Sequence, residues 1–380
     1  MKAITLIPGT TTLRLVDRPE PEISGPDEVK LQVLEVGICG TDREEASGGR
    51  AEAPPDSTEL VIGHEMLGQV LQVGDAVKSV RPGDLAVLTV RRGCQHCPAC
   101  GMNRSDMCYT GEYTERGIKG RDGYQTEYVV DKEQYLVHLP KQMAGFGVLT
   151  EPASVIEKAI DEASLIQAAR LPDAGTSAHW IEGKQVLIAG TGPIGLLAAF
   201  ALRLRGANVF GLGRKDPNSI EPTLLRKIGA NYVDDREVKL DQLDKQLGHM
   251  DLILDATGAA RLEFDLLSIL GMNGLYILTG IPGGDRPFDI QGAALLRELV
   301  LRNQVMVGSV NASKKHFQMA VDDLEKSRET WGDAISGLIT HRFPYSQFGE
   351  ALSLHSPDEI KAVLEWRKMR EGQPSGGVKE

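Results

Sequence analysis

Gln185-Val186-Leu187-Ile188-Ala189-Gly190-Thr191-Gly192-Pro193-Ile194-Gly195-Leu196-Leu197-Ala198-Ala199-Phe200-Ala201-Leu202 runs for 18 residues without a charge. As a bilayer helix it only reaches the minimum of about 18 residues, and three glycines and a proline crowd its middle. A strand, a glycine turn and a helix account for it better. Residues 185–189 are a short apolar run, residues 196–205 are helical in character, and Gly206 suits a helix C-terminus. Gly190-Thr191-Gly192-Pro193-Ile194-Gly195 has the form G-x-G-x-x-G, weak alone but strong between a strand and a helix. The first glycine permits a tight turn. The second lets backbone approach a pyrophosphate, and the third lets helix pack on strand, with phosphate at the helix N-terminus.

Downstream, residues 208–212, 251–257, 275–279 and 305–310 read as further short strands with helical stretches between them. Strands alternating with helices imply a doubly wound parallel sheet with right-handed crossovers, the Rossmann arrangement. Thr257, Thr279, Gly280 and Asn311 close the later strands, where a dinucleotide would be met. About 20 residues past the glycines an acid would grip a ribose 2′-hydroxyl; here stand Gly213-Arg214-Lys215. An acid would repel a 2′-phosphate, whereas Arg214 can pair with one. The expected cofactor is NADP, with NAD tolerated.

Upstream the character changes. Val29, Leu31 and Val33 alternate with Lys30, Gln32 and Leu34, the pattern of a half-buried strand. Residues 68–73, 85–90 and 124–130 read as further strands, separated by turns such as Arg81-Pro82-Gly83-Asp84. After Asn311 the chain is mixed, and residues 373–380 read as a polar, frayed tail. With 380 residues, two domains are expected, each able to bury a core. Lys plus Arg number 42 against 53 Asp plus Glu, a net charge of −11. That balance argues against a chain built to hold nucleic acid or an anionic membrane, because the long-range field repels both. The N-terminal apolar stretch, broken at Pro8, is too short for a signal peptide, so a cytoplasmic protein is expected.

Four of the five cysteines, Cys94, Cys97, Cys100 and Cys108, fall within 15 positions, with two, two and seven residues between them. Four thiolates at such spacing match a closed tetrahedral structural zinc. An iron–sulfur cluster and a nucleic-acid-binding zinc module are the alternatives. His96, inside the cluster, reads as a solvent-facing loop residue. The fifth cysteine stands in Gly37-Ile38-Cys39-Gly40-Thr41-Asp42, and Gly63-His64-Glu65 and Glu151-Pro152 follow far along the chain. Spacing alone does not bring Cys39, His64, Glu65 and Glu151 together.

These segments, the cysteine lobe, the glycine fingerprint and Asp255-Ala256-Thr257-Gly258 occur in an order that resembles the zinc-dependent medium-chain dehydrogenases/reductases over almost the whole chain. Within that family the chain is most similar to the glucose 1-dehydrogenase branch. The segments that carry this are Val90-Arg91-Arg92-Gly93-Cys94, Thr110-Gly111-Glu112 with Glu115, Glu157-Lys158, and Val310-Asn311 with His316-Phe317.

The resemblance implies an α/β protein. A GroES-like β-rich catalytic domain would span residues 1–180, completed by 312–380, with a Rossmann domain at 181–311 and the active site in the cleft. It implies two zinc ions per chain, the catalytic one held by Cys39, His64 and a carboxylate, Glu65 or Glu151, with Asp42 orienting His64. A substrate hydroxyl would bind the open zinc position, Thr41 would relay its proton, and hydride would pass to the nicotinamide. Glu115, Asn311 and Glu151 would read sugar hydroxyls. The expected reaction is oxidation of glucose at C1 to the lactone. Another aldose, a polyol or a secondary alcohol is the nearest alternative, and a non-catalytic nucleotide-binding protein the alternative of another class. A dimer or tetramer is implied.

Overall fold

The structure, a computed structural model, describes residues 1–175, 178–238, 242–284 and 287–367. The chain forms two compact units. The first comprises Met1–Met102, Cys108–Glu151 and the described residues from His341 onward; the second comprises Asn103–Met107 and the described residues of Pro152–Thr340. These divisions differ from the expected ones at 180 and 312. The reason is the helix Thr150–Arg170, nearly all of which packs with the second unit, as does the helix Lys314–Trp331. The tail at 373–380 lies outside the described residues.

The first unit is β-rich. Its main sheet has seven strands, ordered Leu136–Leu139, Leu85–Leu88, Glu65–Val73, Glu28–Ile38, Lys361–Glu365 and Ile339–Pro344, with Tyr128–Lys132 also on Glu28–Ile38. The strand Glu28–Ile38 is central, so it is not half-buried as its alternation suggests. Lys30 and Gln32 are buried as fully as Val29, Leu31 and Val33, and Lys30 Nζ reaches Glu20 at 2.6 Å. Ladder hydrogen bonds on both sides and cover on both faces leave no solvated side. The strand expected at 124–130 begins only at Tyr128, because Tyr124 and Gln125 pair with Gly63 and Ile62 instead. Val29, Leu31, Val33 and Val36 join Ile62, Met66, Tyr124, Leu364 and Trp366 in one core.

The second unit holds a six-stranded parallel sheet. Its order is Asn231–Asp234, Asn208–Gly213, Gln185–Ala189, Met250–Asp255, Leu270–Leu278, Val305–Gly308. The strand at Gln185–Ala189 pairs on both sides, with 208–212 and with 252–255, and the order reverses there. That reversal is the topological switch point at which open α/β sheets bind ligands. The uncharged 18-residue run is a strand, a turn and the helix Pro193–Leu204. Gly206, with φ +79°, follows that helix as expected. Among the described residues no helix is long and apolar enough to cross a membrane.

Candidate functional site

The glycine turn shows three separate uses of a missing side chain. Gly190 has φ +93°, which strains any other residue. Gly192 caps the helix Pro193–Leu204, and a Cβ there would meet nothing within 4 Å, so its face is open to a ligand. A Cβ on Gly195 would lie 1.8 Å from the Gly190 carbonyl oxygen, which makes Gly195 a packing requirement. Beside the turn, Asp255 locks the next loop. Thr257 Oγ1 donates to its carboxylate at 2.6 Å, and Thr279 Oγ1 donates to its carbonyl at 2.6 Å. Thr257 and Thr279 thus shape the strand ends with their hydroxyls, and Gly280 packs where a Cβ would strike the Gly258 nitrogen. Asn311 takes φ +62° in a turn whose preceding carbonyl, Val310, accepts from Lys158 Nζ at 2.9 Å.

Gly213 ends its strand against Thr191. Arg214 follows, its side chain 78% exposed, with Nε on both oxygens of Asp235. Lys215 Nζ lies 2.7 Å from Glu221. The sequence reading missed these acidic partners and a third cation, Arg236, which bonds Asp234 at 2.6 Å. Exposed ion pairs are weak, so a phosphate dianion can compete for Arg214.

In the first unit, the strand Glu28–Ile38 runs into Cys39, which caps the short helix Gly40–Ala46. Cys39 Sγ accepts from Thr41 N at 3.1 Å, and Cys39 N donates to Asp42 Oδ2 at 2.8 Å. His64 and Glu65 open the adjacent strand, where Glu65 pairs with Gly37. A Cβ on Gly37 would stand 2.0 Å from Glu65 Oε2, so glycine there makes the carboxylate's seat. Cys39 Sγ and His64 Nε2 are 3.1 Å apart, and with a Glu65 oxygen they lie within 4.8 Å of one another.

His64 Nδ1 and Asp42 Oδ1 are buried, have no other partner, and stand 3.6 Å apart. That exceeds hydrogen-bond length, but a small closure lets Nδ1–H donate to Asp42 and leaves Nε2 facing Cys39 Sγ. Glu151, on the first turn of the helix Thr150–Arg170, is less than a tenth exposed. Burial, partly opposed by His64 and reinforced by Glu65, pushes its carboxyl up to about 7. Burial also raises the Cys39 thiol. Burial works against a charged His64, but Cys39, Asp42 and Glu151 outweigh it and lift the imidazole well above its ordinary value. Glu45, fully buried with no partner for either oxygen, is pushed up to about 9 by burial and by Asp42. A thiol, an imidazole and a carboxylate converge in a site crowded with acids, and this donor set fits a divalent cation.

The sequence reading also missed Lys361. It is buried, and its Nζ is 2.7 Å from both oxygens of Glu65. The signal was there: a lone lysine opens the apolar strand Lys361–Glu365. Glu115 sits on the short strand Thr114–Arg116, where Arg91 donates to it at 2.9 and 3.0 Å while stacking on Tyr113 at 3.8 Å.

The cysteine lobe takes its four sulfurs from one short stretch. The four sulfurs lie within 4.8 Å of one another, and none is in a disulfide. Cys97 caps the short helix Pro98–Gly101 and accepts from Cys100 N at 3.5 Å. The Thr110 hydroxyl lowers Cys108 to about 5 and Cys94 to about 7, while burial pushes Cys100 up to about 12. His96 is exposed and bonds the Cys94 carbonyl, as a loop residue does.

Residues 144–366 match the family described as Glucose dehydrogenase C-terminus, and residues 25–141 match the Alcohol dehydrogenase GroES-like domain. The chain is 39% identical to Glucose 1-dehydrogenase 1 of Caldivirga maquilingensis, over 96% of this chain and 99% of that protein. It is 36% identical to Glucose 1-dehydrogenase of Thermoproteus tenax, with the same coverage. Haloferax mediterranei glucose dehydrogenase, solved in complex with NADP, Zn and gluconolactone, superposes with a TM-score of 0.85 at 32% identity, over 97% of this chain and all of that one. The chain belongs to the zinc-type medium-chain dehydrogenases, in the glucose dehydrogenase branch.

Proposed function

We propose that this NAD(P)-dependent oxidoreductase acts on the C1 hydroxyl of D-glucose, giving the lactone and reducing NADP, with NAD as a second acceptor. The observation that carries the reading is the convergence of Cys39, His64 and Glu65, in a chain 39% identical along its length to a glucose 1-dehydrogenase. In this reading Cys39 and His64, with Glu65 or Glu151, hold a catalytic zinc, and Cys94, Cys97, Cys100 and Cys108 hold a structural one. The catalytic zinc supplies Lewis acidity, which lowers the pKa of a bound hydroxyl.

The chain's own residues do the rest. Asp42 fixes the His64 ring. Thr41, tied through its backbone to Cys39 Sγ, relays the substrate proton, its hydroxyl accepting that proton while giving up its own toward solvent. Glu115, steadied by Arg91, and Glu151 accept from ring hydroxyls, and an epimer that leaves a buried acceptor unpaired is penalised. In the second unit the 190–195 turn seats the pyrophosphate, Gly213, Arg214 and Lys215 meet the 2′-phosphate, and Thr257, Thr279, Gly280 and Asn311 shape the dinucleotide's remaining contacts.

The test is cofactor reduction followed at 340 nm over glucose, galactose, xylose and sorbitol, with each dinucleotide. Glucose with NADP is expected to give the highest kcat/KM. A higher value for sorbitol, or for NAD, would overturn that part of the assignment.

A further inference from the structure

Lys361 lies in a part of the chain to which no motif pointed. It is 2% exposed, and all three ammonium donors have acceptors: Glu65 Oε1 and Oε2, each at 2.7 Å, and the carbonyl of Ile38 at 3.1 Å. Strand register explains the meeting. The strand Glu28–Ile38 lies between Glu65–Val73 and Lys361–Glu365, with Glu65 opposite Gly37 and Ala362 opposite Ile38. Each neighbour therefore delivers one charge across the end of the central strand. They meet over Gly37, whose absent side chain leaves the room, and the next residue but one is Cys39.

Glu65 thus faces two claims. Its oxygen lies within reach of Cys39 Sγ and His64 Nε2, yet both its oxygens are engaged by a buried cation. We infer that Lys361 is a positioning residue that holds Glu65 in an ion pair and so withholds it from the metal, keeping one coordination position open to substrate. The inference rests on the metal reading of the previous subsection. Its physical basis is charge. A second anionic ligand would fill the open position and bind the dication more tightly, and the ammonium offers the carboxylate a competing partner that water cannot replace at this burial.

The experiment uses full-length protein with Co2+ in place of zinc, read by its visible ligand-field bands and by the rate of metal loss to a chelator. In Lys361→Met the freed Glu65 is expected to join the metal. The bands shift, metal loss slows several-fold, and kcat falls more than KM changes. Lys361→Arg is expected to restore the wild-type spectrum. The double variant Lys361→Met, Glu65→Gln removes both charges and is expected to lose metal at the wild-type rate. Glu65→Gln alone is expected to leave the spectrum unchanged. Bands that stay put in Lys361→Met, or that shift in Glu65→Gln alone, would overturn the inference while leaving the metal reading intact. A wild-type protein that takes up no Co2+ at Cys39 would overturn both.

Discussion

The two sulfur-bearing sites of the first unit are built in opposite ways. The cysteine lobe draws all four sulfurs from residues 94–108 and closes them on one another. The Cys39 site draws on residues 39, 42, 64, 65, 151 and 361, and beside them it buries Glu45, with no partner for either oxygen, and a lysine that has three. A local, saturated cluster can hold a loop together. A non-local site with unpaired buried charge costs folding free energy and is favoured where something must bind, as in a catalytic centre.

That contrast can be broken most severely at the lobe. Cys97→Ser is expected to lose the lobe's metal, and with it metal-linked folding free energy on the order of 10 kcal/mol. Proteolysis would then nick the chain within 94–108, while kcat/KM of the surviving intact protein changes less than about tenfold. A lobe that stays protease-resistant without metal would refute its structural role. At the other site, Asp42→Asn leaves the His64 ring without its carboxylate. Metal affinity is expected to fall roughly 10–100-fold, the usual cost of losing an outer partner, with the lobe's metal retained. An unchanged affinity in a metal-competition titration would show that Asp42 does not orient His64.

The smallest expected effect is a pH slope. In the metal-free protein Glu151 titrates near 7 and Glu45 near 9, both raised first by burial, against about 4.3 for an ordinary glutamate. Above about pH 4.5 the folded chain therefore holds more protons than the unfolded one, and this contribution to stability fades as pH rises through 7 and then 9. The wild-type Tm is expected to fall relative to Glu151→Gln by a few degrees between pH 5 and 8. A parallel pair of Tm curves would contradict the buried-acid account. Zinc is expected to remove the slope, because a metal favours the ionised carboxylate.

The same contrast decides how much could be read from the sequence. The 190–195 turn, the parallel sheet and the cysteine lobe were legible because each is written in one contiguous stretch with a required spacing. The Cys39 site was legible only through family resemblance, since no local period links residues 39, 64 and 151. Lys361 left a local signal but no reading of it. A lysine at the start of an apolar strand becomes informative only when the register sets it across Gly37 from Glu65. The expected boundary at 180 differs from the division of the two units for a related reason: the helix Thr150–Arg170 begins at the end of the first unit, but from Pro152 onward it packs with the second.

The central claim is that Cys39, His64 and a carboxylate hold a metal distinct from that of the cysteine lobe. Zinc per chain, measured by elemental analysis on full-length protein and on Cys39→Ser, tests it directly. The account predicts two zincs in the first and one in the second, with activity lost and the fold kept. Two zincs and undiminished glucose oxidation in Cys39→Ser would contradict it.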